Sequence, residues 1–187
     1  MAIKIENASS IKLPKNAEKD LEKILASIQI EHLRGLDKVK LVDFINDPRL
    51  KNAQLPKGQD LPGLYHPKAV GKNAWLEVST GALLRPYETY FNRLMPRMSF
   101  KSNLAAIVFS LVGQHYYLTL RHSVKRTQIE GQVRQYAERH LKTWGEKQAE
   151  GSRRAKIFKP FRPILERWAK YLNKKAAAAQ KKAVSSK

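Results

Sequence analysis

No cysteine occurs in the 187 residues, which excludes disulfides and thiolate metal sites. Acids are scarce: 16 Asp/Glu stand against 36 Lys/Arg, for a formal net charge of +20. Long apolar runs are also missing. The most apolar stretch lies within Ser102–Arg121, and its uncharged centre, Leu104–Val112, ends well short of the roughly 20 residues that span a bilayer. The first residues, MAIKIENASS, lack a basic region followed by an apolar core, so no secretory signal is read there and a cytoplasmic protein is expected. No repeat of about 20–50 residues and no base-reading signature such as a zinc finger or paired RNP aromatics is present.

What the chain does have is a hydrophobic fraction of 42%, enough for one core. Residues 1–15 read as an irregular or short extended arm. Asn16 is placed to cap a helix over Ala17–Ile28, in which Leu21, Ile24, Leu25 and Ile28 share one face. Leu36–Ile45 alternates as a strand, with Val39 and Leu41 on one side. Residues 46–62 are rich in turn formers. GLYHPK (63–68) and AWLEVST (74–80) then read as a hairpin or two neighbouring strands.

Pro86 suits the first turn of a helix that Pro96 would stop. Ser99 is expected to cap a buried central helix running to about Leu120, with a short connection at Arg121–Ser123. A further helix, from Ser123 or Thr127 to about Trp144, carries Ile129, Val133, Tyr136, Ala137, His140, Leu141 and Trp144 at helical spacing. Gly151 and Ser152 break the pattern. A last helix is expected to open at Pro160 and Pro163, before an Ala/Lys-rich tail. The expected fold class is α+β, helix-rich, with a small sheet packed on the central buried helix. The expected divisions are an arm (1–15), an α+β domain (16–150), a basic helix (151–173) and a tail (174–187).

The central helix poses a chemical question, because Ser110, Gln114 and His115 interrupt its apolar face. The stretch Val108-Phe109-Ser110-Leu111-Val112-Gly113-Gln114-His115 resembles the zinc helix of the small zincin metallopeptidases, which reads apolar-apolar-H-E-x-G-H-H. The resemblance extends over roughly residues 15–145. It implies that Ser110 and Gln114 stand where the two zinc histidines would be, Leu111 where the general-base glutamate would be, and Glu130 where the third ligand would be. GLYHPK and AWLEV are similar to the strand pair beside that family's substrate cleft. Neutral oxygens are poor zinc ligands beside imidazole, and leucine activates no water. The resemblance therefore implies a zincin-like scaffold that is metal-free, without cofactor and inactive as a peptidase. Ser110, Gln114 and Glu130 would then be free to hydrogen-bond to one another.

Other polar residues have plainer readings. His115, His122 and His140 with Glu130 would make an unconventional metal-dependent hydrolase. Without ligand spacing, one half-buried and two surface histidines is the preferred assignment. His66 reads as a strand-end residue. Tyr87, Tyr90, Tyr116 and Tyr117 could stack on bases, but packing in the core or at its rim is preferred. Ser110 as a nucleophile lacks a strained turn and an evident base.

The strongest signal is charge asymmetry. Residues 1–90 hold 14 Lys/Arg and 11 Asp/Glu; residues 91–187 hold 22 and 5. Arg153, Arg154, Lys156, Lys159, Arg162, Arg167, Lys170, Lys174, Lys175, Lys181 and Lys182 are opposed by Glu166 alone. Such a run repels itself unless a polyanion neutralises it. The expected partner is nucleic acid, DNA or RNA, held through its phosphates. An acidic protein ranks second. A membrane surface ranks last, since the apolar side of 160–175 serves equally well to dock on a core. The alternatives are the unconventional hydrolase and a protein-interaction module using the groove beside Ala74–Val78. Elemental analysis separates the enzyme from the rest: the purified protein should carry no stoichiometric zinc, and one zinc per chain would restore the hydrolase.

Overall fold

The computed structural model describes residues 3–47, 60–86, 88–120 and 128–150. The expected basic helix (151–173), the tail (174–187), the connection at 121–123 and most of the 46–62 loop lie outside them. The described chain is α+β. A four-stranded mixed sheet has the order β1-β2-β4-β3, with β1 (Lys4–Asn7), β2 (Leu36–Val42), β3 (Gly63–His66) and β4 (Ala74–Ser79). β1, β2 and β4 run parallel, and β3 pairs antiparallel with β4. The helices are α1 (Ala17–Ala26), α2 (Thr80–Leu84), α3 (Tyr90–His115) and α4 (Ile129–Glu150). The first compact unit of the chain ends at Trp144, within α4.

Alternation fixes the faces of the sheet. Val39, Leu41, Leu76 and Val78 point inward and are fully buried, with Tyr65 beside them. α1 contributes Leu21, Ile24 and Leu25 to the same core, and α3 contributes Phe100, Leu104, Val108, Phe109, Leu111 and Val112. Burying each of these large apolar side chains stabilises the fold by about 1.5–3 kcal/mol relative to exposure. The hairpin expected from 63–68 and 74–80 is present, with Tyr65 opposite Leu76 and His66 opposite Trp75. A bridge between Ala69 and Lys72 closes it around Val70 and Gly71, whose φ of 74° suits glycine.

Several local expectations are corrected. Part of the N-terminal arm is strand β1, paired in parallel with β2 so that Ile5 lies beside Val39; four residues are too few to show a period. Asn16 occupies the N-cap of α1, but its side chain makes no capping bond, and its carbonyl accepts the Asp20 N–H at 2.8 Å. α1 stops at Ala26, where the Ser27 hydroxyl donates to the Ile24 carbonyl. The short α2 was not anticipated; Ser79 caps it, accepting the Ala82 N–H at 3.1 Å. Pro96 does not end a helix. α3 starts at Tyr90 and runs through it, and Ser99 lies mid-helix, donating to the Met95 carbonyl at 2.9 Å. An interior proline costs about 3 kcal/mol. The burial of Phe100 and Leu104 in the next two turns outweighs that. After His115 the helix widens into a π turn, Tyr116–Leu120.

The C-terminal ends of the three parallel strands are tied by one carboxylate. Asp43, just beyond β2, accepts both Ser9 and Ser10 hydroxyls and the backbone N–H groups of Ser10 and Ile11. These bonds, Ser10's first and Ser9's next, hold its carboxyl below the usual carboxylate range. Ser9 also meets the Thr80 hydroxyl at 2.7 Å, and Thr80 donates to the Val42 carbonyl.

Close approach at this junction requires glycine at 81. A Cβ there would sit 2.6 Å from the Asp43 carbonyl oxygen and 2.3 Å from the Phe44 ring. Gly81→Ala should therefore destabilise the protein by about 1–3 kcal/mol in urea unfolding. Gly145→Ala, on an exposed helical site where a Cβ meets nothing within 4 Å, should stabilise it by about 0.5–1 kcal/mol. Equal effects would contradict the packing described.

Candidate functional site

Because the apolar face of α3 is turned to the sheet, its next face is fixed. Ala106, Ser110, Gln114 and Leu118 follow at steps of four and line a groove of about 580 Å³ against α4. The opposite wall carries Ile129, Glu130, Val133, Arg134, Ala137, Glu138 and Leu141. Ser110, Gln114 and Glu130 therefore share one cleft. Leu111 does not: it is buried one step round the helix, under β3, where a Cβ on Gly63 would lie 3.0 Å from its Cδ1 and 2.7 Å from Ile107 Cγ2. Among the described residues the groove is lined by α3, the π turn and α4, with no strand residue.

The chemistry available in the groove is limited. No hydrogen bond joins Ser110, Gln114 and Glu130 among the described residues, so the mutual bonding expected of them is not made. Arg134 and Glu138 form a solvent-exposed pair at 2.9 Å, of the kind worth about 0–1 kcal/mol. Among the described residues no histidine lines the groove beside the Ser110 hydroxyl. No group of three His, Asp or Glu side chains is placed to hold a metal ion among the described residues. The groove is thus an apolar cleft with a few polar groups along its walls.

The histidines lie elsewhere. His115, expected half-buried, is fully buried. Its Nε2–H donates to the Arg34 carbonyl at 3.0 Å, and its Nδ1 accepts the Tyr65 hydroxyl at 3.1 Å. That pairing requires the neutral ring. His140 is half-buried rather than a surface residue, packed on Tyr136 (centroids 4.2 Å) and Phe109 (5.6 Å). His122 lies outside the described residues. His66 ends β3, stacks flat on Trp75 at 3.8 Å and places Nε2 2.9 Å from Glu77 Oε2. Tyr116 and Tyr117 pack against each other and Tyr136 at the rim of the core. Tyr87 lies outside the described residues, and Tyr90 marks the start of α3. The eleven basic positions from Arg153 to Lys182 also lie outside them.

One member of this cluster was missed from sequence. His32, in a 3₁₀ turn (Ile30–Leu33), packs on Tyr116 at 4.2 Å and places Nδ1 2.9 Å from the Tyr136 hydroxyl. His140 is 6.1 Å away. A short irregular turn offers no period from which to read this. Burial pushes the Tyr136 phenol well above its ordinary range, with Tyr117 and Tyr116 adding to the effect. No family model, no curated protein and no solved structure matches this chain.

Burial also lowers the pKa of His32, His115 and His140 below the ordinary 6.5. The neighbouring Glu31 and the Arg34 carbonyl partly offset this at the first two, while His32 and Arg139 add to it at His140. The unfolded chain then binds more protons than the folded one, so stability is lost as pH falls below about 6.5. The melting temperature should fall between about pH 7.5 and 5.5. His140→Phe, which keeps a ring in the aromatic cluster, should flatten that dependence; an unchanged slope would contradict it.

Proposed function

We propose that this protein is a non-catalytic nucleic-acid-binding protein. Its α+β unit is a zincin-like scaffold that has lost its metal chemistry, and the basic chain after it grips the phosphate backbone. The observation that carries this reading is the charge of residues 153–187: 12 Lys/Arg against Glu166 alone. Neutralising phosphates releases condensed counterions, a driving force that needs no base-reading surface. The scaffold reading rests on the shared groove of Ser110, Gln114 and Glu130 across two successive helices. A membrane-spanning role has no support, since no described helix is long and apolar enough to cross a bilayer.

Binding of this kind has a characteristic salt dependence. Fluorescence anisotropy with labelled duplex DNA and RNA should show affinity falling steeply as salt rises, by about 0.9 units of log K per unit of log salt for each duplex DNA phosphate neutralised. Removing residues 174–187, which hold five lysines, should reduce that slope by several units. Binding absent at low salt, or indifferent to salt, would overturn the reading.

A further inference from the structure

We propose that the folded unit carries a binding site for a small amphiphilic anion, with one carboxylate or phosphate-monoester head and an apolar body, in the cavity between the chain after β1, the end of α2 and the first turns of α3. The cavity encloses about 340 Å³, within the range of small-molecule sites. Arg93 and Arg97 face it from one side of α3, and Ile11, Leu84, Pro86 and Leu94 form its apolar walls.

The electrostatics call for an anion. Arg93 and Arg97 are four residues apart on one helical face, an arrangement that repels unless a negative charge lies between or beside them. Among the described residues no acid lines the cavity, and Lys12 adds a third cation to its wall. The nearest in sequence, Glu88, is engaged by Arg85 at 3.3 Å. Both guanidiniums are instead steadied by neutral backbone: Arg93 Nη1 donates to the Pro86 carbonyl at 3.4 Å, and Arg97 Nη2 to the Lys12 carbonyl at 3.2 Å. These bonds position the two forks without cancelling their charge.

One donor has no acceptor. Arg93 Nε is among three buried side-chain polar atoms, with Gln132 Oε1 and Trp144 Nε1, that lack a hydrogen-bond partner in the described structure. A buried donor on a charged group left unmade is costly, and it marks Arg93 as a guanidinium whose hydrogen bonding the described residues do not complete. The planar fork of a guanidinium matches the paired oxygens of a carboxylate or phosphate. The apolar walls select the rest of the ligand. A bare inorganic ion would leave Ile11, Leu84 and Leu94 unfilled, and a nucleic-acid backbone has no apolar body to fill them. The site therefore stands independently of the nucleic-acid reading.

The experiment is calorimetric titration of the full chain with octanoate, octyl phosphate and inorganic phosphate. One-to-one, saturable binding is expected for octanoate or octyl phosphate, at least about tenfold tighter than for inorganic phosphate, and the better of the two identifies the head group. Arg93→Gln and Arg97→Gln should each weaken it by about tenfold or more. Lys19→Gln, at an exposed position of α1, should leave it unchanged. Arg97 is exposed, so its substitution keeps the test valid if Arg93→Gln fails to fold. No saturation with either octyl probe, or equal affinity in wild type and Arg97→Gln, would overturn the proposal.

Discussion

The rotation of α3 about its own axis governs the arrangement of everything else in the described unit. Leu104, Val108, Leu111 and Val112 are buried, and a helix with that stripe packed into the core has no freedom to turn. Once it is set, Ala106, Ser110, Gln114 and Leu118 must face α4, and Leu111 must lie under β3. His115, at the end of the helix, is locked by Tyr65 from β3 and by the Arg34 carbonyl just before β2. The earlier turns of α3 place Arg93 and Arg97 against the chain that leaves β1. A groove, a buried histidine and a cationic cavity are thus three consequences of one packing decision.

How much of this was legible in the sequence depends on the range of the interaction. The inward residues of α1, β2, β4 and α4 follow from local periods, and the structure buries Leu21, Ile24, Val39, Leu41, Leu76, Val78, Val133, Tyr136 and Trp144. The spacing of Ser110 and Gln114 likewise sufficed to put them on one face. What could not be read depends on distant partners. Pro96 sits inside α3 because later turns are buried, a tertiary gain that overrides a local penalty. The Asp43 junction joins serines 33 and 34 residues away in sequence. The cationic cavity closes only because the Lys12 carbonyl reaches Arg97, 85 residues later.

The function proposed follows from a separation of roles along the chain. Among the described residues the groove between α3 and α4 holds no metal-ligand set, and Ser110, Gln114 and Glu130 make no hydrogen bond to one another. The chemistry that remains strong in the sequence is the charge after residue 152, opposed by Glu166 alone. Electrostatic attachment to phosphate asks little of a fold beyond presenting lysines and arginines. A densely basic chain attached to a folded α+β unit fits that division.

Lysine-acetylation footprinting of the full chain, with and without duplex DNA or RNA, tests this division most directly. Protection should concentrate at Lys156, Lys159, Lys170, Lys174, Lys175, Lys181 and Lys182, and leave the lysines of the α+β unit, such as Lys19 and Lys142, unchanged. Protection confined to the α+β unit, with the basic segment as reactive as in the free protein, would contradict it.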